Sequence, residues 1–154
     1  MKSLFFHLSL VALCLSSCTK SSEKSIHRND IDGTWQLVYG EVKENDSLII
    51  KDLSKSSFIK IINDSHFAFF NQVEDDASKF YGGGGTYKIN GDDYIETLTY
   101  TSALDFKNHE FPFKIEIKGD TLIQSGVEEI KEAGIKREIV EKYVRVGDYH
   151  YISR

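Results

Sequence analysis

The chain has 154 residues, of which 40% are apolar and 12% aromatic, with 24 acidic against 19 basic side chains and a net charge of −5. That balance, with no Lys/Arg cluster downstream of the N-terminus, excludes nucleic acid as a partner, because neutralising a phosphate backbone takes a basic patch. The two cysteines stand at 14 and 18, before any folded region, so a disulfide, a thiolate nucleophile and a cysteine metal site are excluded as well.

Met1-Lys2-Ser3 and the apolar run Leu4 to Leu13 have the form of an export signal, since the run is too short to span a bilayer. The following Leu15-Ser16-Ser17-Cys18 resembles the lipobox of bacterial lipoproteins. That resemblance implies cleavage after residue 17 and acylation of Cys18, with the membrane as a partner through the lipid alone. Acyl chains contribute about 0.8 kcal/mol per buried methylene, and two or more of them anchor stably. Loss of Lys2 with the signal moves the net charge to −6. Residues 18–31 are polar and aperiodic and read as a tether.

From Gly33 the composition turns β-like. Gly33-Thr34-Trp35-Gln36-Leu37-Val38-Tyr39 has the aromatic and β-branched content of a strand. Leu48 to Leu53 is an apolar run that fits a short strand or one helical turn. Phe58 to Ile62 and His66 to Phe70, joined by Asn63-Asp64-Ser65, form a hairpin whose two faces are both apolar, so alternation does not tell inside from outside. A polar connection over 71–79 leads to the glycine run 82–85.

The next stretch carries the strongest hairpin signal, with Asn90-Gly91-Asp92 between alternating strands. A turn centred on Asn90-Gly91 pairs Tyr87 with Tyr94; one centred on Gly91-Asp92 pairs Tyr87 with Glu96. Both place Gly85, Tyr87, Ile89, Tyr94, Glu96, Leu98 and Tyr100 on one face, because a shift of two preserves parity. A phosphate loop is a poor reading of the glycines, since a strand and not a helix N-terminus follows; a bulged, bending edge at a barrel rim fits better. In the third hairpin Gly119-Asp120 is the turn, with Phe113, Ile115, Ile117, Leu122, Gln124 and Gly126 inside and Lys114, Glu116 and Lys118 in water. A charged connection over 128–134 precedes the last strand, Ile135 to Val146, and residues 148–154 form a C-terminal tail.

This count gives an all-β fold of about eight short strands, for which an eight-stranded antiparallel up-and-down β-barrel removes the exposed edges. Gly33-Thr34-Trp35 and Arg145 resemble the calycin signature of lipocalins. Gly83-Gly84-Gly85-Thr86-Tyr87, Tyr94 to Tyr100, Gly119-Asp120, Gln124-Ser125-Gly126 and Glu141 to Val146 resemble the lipocalin-like domain of exported Bacteroidetes-type lipoproteins, across residues 32–147. The sequence departs from that pattern at Tyr143, where Trp is expected. The resemblance implies a barrel closed at one end by Trp35 with Arg145 stacked on it, and an outer-membrane location facing the periplasm, as no acidic run follows Cys18.

The candidate site is a pocket of Tyr87, Tyr94, Glu96, Tyr100 and Gln124, because apolar walls with a few convergent polar tips suit a small molecule. A satisfied core network around Glu96 is the competing reading of the same residues. The isolated histidines lack ligand spacing, so no metal, no cofactor and no catalytic residue is expected. Two functions follow: a non-enzymatic module binding a small apolar or amphipathic ligand inside the barrel, or an envelope interaction or inhibitory lipoprotein with a filled barrel and a protein partner.

Overall fold

The structure is a computed structural model that describes residues 26–147. Alternating side chains make nine strands: β1 (Gly33–Glu44), β2 (Ser47–Ile50), β3 (Ser56–Ile62), β4 (His66–Val73), β5 (Asp76–Asn90), β6 (Asp93–Thr101), β7 (Glu110–Lys118), β8 (Thr121–Ile130) and β9 (Ile135–Arg145). All pairings are antiparallel between neighbours in space, and β1 also pairs with β9, which closes the sheet. Strands β2 and β3 share one edge of β1, β3 opposite Gly33 to Gln36 and β2 opposite Glu41 to Glu44. They are two pieces of one position in the ring, so the fold is a closed eight-stranded antiparallel barrel.

The register settles what alternation left open. The run after Leu48 is a strand, with Leu48, Ile49 and Ile50 at least half exposed. In β3, Lys60 stands opposite Trp35 of β1, and Phe58, Lys60 and Ile62 are buried while Ile61 faces out. The inward face of this hairpin therefore contains a lysine. Between β5 and β6 the turn is Gly91-Asp92, with Tyr87 opposite Glu96. The β7–β8 hairpin turns at Gly119-Asp120, with Phe113, Ile115, Leu122 and Gln124 buried as its alternation predicts.

Two expectations change. The polar stretch 71–79 is almost all strand, leaving Glu74-Asp75 as the β4–β5 turn. The glycines 82–85 lie within the barrel wall between β4 and β6, not at an edge, although a bulge does occur there, between Gly84 and Gly85.

One end of the barrel is closed by α1 (Arg28–Ile31), which falls in the stretch expected to be tether; Ile31 is fully buried. Trp35, also fully buried, donates its indole N–H to the Ile31 carbonyl at 2.8 Å. The Arg145 guanidinium lies 4.1 Å from the Trp35 ring centroid and donates to the carbonyls of Asp32 (2.5 Å) and Asp30 (2.8 Å). Gly33 makes room for this arrangement. Its φ of +137° suits glycine, and a Cβ there would stand 2.6 Å from Arg145 Nη1.

Candidate functional site

Above the Trp35 plug the barrel interior holds a charged network instead of a purely apolar core. Lys60, 2% exposed, donates to Glu96 Oε1 at 2.6 Å and to Gln124 Oε1 at 2.7 Å. Its ammonium is ringed by Tyr143, Phe67 and Tyr94, with centroids 5.5–5.9 Å away, an arrangement in which aromatic faces partly replace lost water. A second pair stands beside the first. Lys51, entering where β2 gives way to β3, donates to Glu141 Oε1 at 2.6 Å, and the Tyr143 hydroxyl donates to Glu141 Oε2 at 2.5 Å.

The two carboxyl groups differ in environment. Burial raises the Glu96 pKa above its ordinary 4.5, more than the facing Lys60 and the Tyr94 hydroxyl lower it, and the charge of Glu141 adds to the rise. Glu141 is equally desolvated, yet the combined pull of Lys51, Lys60 and the Tyr143 hydroxyl brings its pKa below the ordinary value. Tyr94, 1% exposed, has its phenol pushed well above 10 by burial, by the Glu96 charge and by the contact of its hydroxyl with the Glu96 carboxyl group.

The opposite end of the barrel is open. A cavity of about 290 Å³ descends from it, walled by Phe69, Leu98, Phe106 and Phe111 and reaching the Glu96 carboxyl. Phe106 comes from a 3-10 turn, Leu104–Phe106, in the β6–β7 connection. Glu128 and Arg137, paired at 2.5 Å across β8 and β9, line its rim. The volume lies at the low end of small-molecule sites.

Of the five residues predicted to line a pocket, Glu96 does so. Tyr94 and Gln124 are buried in the network beneath it, and Tyr87 lies towards the closed end, 7% exposed, with its hydroxyl donating to the Asn63 carbonyl at 2.8 Å. Tyr100 is a correction. It is 68% exposed on the outer wall, because the bulge opposite Gly84 and Gly85 inserts a residue between Leu98 and Tyr100 and reverses parity. Lys60, Lys51, Glu141 and Arg137 were absent from the predicted site. Glu141 and Tyr143 share the parity of Arg145, so placing Arg145 inward would have brought them in; Lys51 and Arg137 carry no comparable signal.

A larger concavity, about 760 Å³, lies on the outer wall. Gly82, Gly84 and Ala68 form its floor, and Phe70, Phe80 and Tyr100, each 43% exposed or more, rise around it. It carries no buried polar group comparable to Glu96. Among the described residues no group of three or more His, Cys, Asp or Glu is placed to hold a metal ion.

The closed ring, the plugged end and the open mouth define a lipocalin-like β-barrel. The chain belongs to the family described as Domain of unknown function (DUF4488), whose profile matches residues 30–150. No curated protein matches it. Among solved structures it is similar to bovine odorant-binding protein in complex with a selenium-containing odorant, at 17% identity over 79% of this chain and 74% of that one, with a TM-score of 0.48. The same protein in complex with undecanal is 18% identical over 75% of this chain and 70% of that one, with a TM-score of 0.46.

Proposed function

We propose that the chain is an exported, lipid-anchored, non-enzymatic binding protein that holds a small apolar or amphipathic molecule in the mouth of its barrel. The observation that carries this reading is the cavity of about 290 Å³, whose aromatic and aliphatic walls lead down to a buried carboxyl group. A barrel serving only as a scaffold would be filled to ordinary packing density at this level. Cys18 as the anchor would place the membrane near the closed end, because Ile26 precedes the α1 plug there, and the mouth would then face away from the lipid surface. Native mass spectrometry of the protein purified from its own host tests the reading. A retained small molecule is expected on the wild type and should be missing from Leu98→Trp, whose indole would fill the mouth; an empty wild-type protein contradicts it.

A second reading has its own observation. The outer trough beneath Phe70, Phe80 and Tyr100 is a contiguous apolar surface, and surfaces of this kind mark protein contacts. It supports an envelope lipoprotein that engages a protein partner through its wall.

A further inference from the structure

We infer that the molecule held in the barrel mouth is electrically neutral and presents a hydrogen-bond donor, a hydroxyl above all, to Glu96. This rests on the binding reading and narrows it to one ligand chemistry.

Along β6 the cavity touches Leu98 and then, one turn of the pleat deeper, Glu96, which is 7% exposed. The charges that line it are already matched: Glu96 to Lys60 at 2.6 Å, and Glu128 to Arg137 at 2.5 Å. No lining charge is left over to compensate one brought in by a ligand, and an uncompensated charge in such a place is strongly disfavoured. A carboxylate head would stand against the Glu96 carboxylate. Lys60 could not offset it, because two of its three N–H groups serve Glu96 and Gln124 and the ammonium is enclosed by Phe67, Tyr94 and Tyr143. An ammonium head at Glu96 would meet the Lys60 charge across the same carboxyl group.

What the cavity floor offers is an acceptor. A carboxylate has about four lone-pair positions; Lys60 takes one at Oε1, and the Tyr94 hydroxyl, which lies against the same carboxyl group, takes another. The positions that remain can accept an incoming O–H. Above them Phe69, Leu98, Phe106 and Phe111 match a hydrocarbon body, so the ligand is an uncharged alcohol-type amphipath whose hydroxyl goes in first.

The test is a calorimetric titration of the purified chain with four probes that share an octyl chain: 1-octanol, 1-methoxyoctane, octanoate and octylamine. Octanol should bind about tenfold or more tightly than each of the others, the range expected when a hydrogen bond to a charged group is made or lost. The ether separates donation from mere polarity, since it accepts but cannot donate. In Glu96→Gln the octanol-to-ether ratio should fall to within about threefold, because the new amide can donate to either oxygen; the wild-type series stands without that variant if it fails to fold. Equal binding of octanol and the ether, or preference for octanoate or octylamine, overturns the headgroup inference and leaves the binding reading intact. Failure of all four probes to bind overturns both.

Discussion

Replacing Lys60 with Met keeps most of the length of the side chain and removes its charge. The ammonium is 3% exposed in its side chain and holds a carboxylate that is 9% exposed, so the substitution leaves a buried Glu96 with no cation, beside Glu141. Breaking a buried pair from one side costs about 3–5 kcal/mol, a large part of the stability of a domain this size. The cost should depend on pH with a definite sign. Glu96 already has a raised pKa, and loss of Lys60 raises it further, so the folded variant binds a proton that the unfolded chain, near 4.5, releases. The variant should therefore lie closest to the wild type below about pH 4.5 and lose stability as pH rises towards neutral. Urea unfolding followed by Trp35 fluorescence at pH 4.5, 6 and 7.5 measures this, and the Lys60→Met/Glu96→Met double variant should recover much of the loss, because apolar replacement of both members removes the stranded charge. A penalty below about 1 kcal/mol at neutral pH, or one that does not change with pH, would refute the description of these groups as a buried ion pair.

Trp35→Ala should cost about 3–5 kcal/mol in the same assay, followed by circular dichroism, since a fully buried indole and its stack with Arg145 are both lost. Gly85→Ala should yield little folded protein on size exclusion, because a Cβ there would lie 1.8 Å from the Thr97 carbonyl oxygen, whereas Tyr100→Ala, on the exposed outer wall, should change the unfolding midpoint by the equivalent of about 0.5 kcal/mol or less. Cys18→Ser should move the protein from the membrane fraction to the soluble fraction on cell fractionation; unchanged partitioning would dismiss the anchor.

The fold was legible because its hairpins announce themselves. Asn90-Gly91-Asp92 and Gly119-Asp120 set register locally, and register carries side-chain parity along each strand, which is how Tyr94, Glu96, Ile115, Leu122 and Gln124 could be assigned to the interior from the chain alone. Parity then failed at Tyr100 for a reason that lies outside any one strand. The bulge is a relation between β5 and β6, and the glycines that permit it say that the backbone bends without saying which neighbour gains the extra residue.

The site was harder to read than the fold. Phe58 to Ile62 is apolar on both faces, so alternation leaves open which way the lysine at its centre points; pairing with β1 turns it inward. Once Lys60 is inside, Glu96 and Gln124 become its ligands, and of the residues singled out as a pocket Glu96 is both network and cavity lining. Oε1 of Glu96 belongs to the network, and the same residue lines the cavity at the mouth.

The central claim is that the mouth of the barrel, and not the outer trough, receives the small molecule. Amide spectra of the ¹⁵N-labelled chain titrated with 1-octanol address it directly. Saturable shifts should gather at Glu96, Leu98, Phe106 and Phe111, with Phe70, Phe80 and Tyr100 unmoved. Shifts confined to the second group, or none in either, would contradict the account.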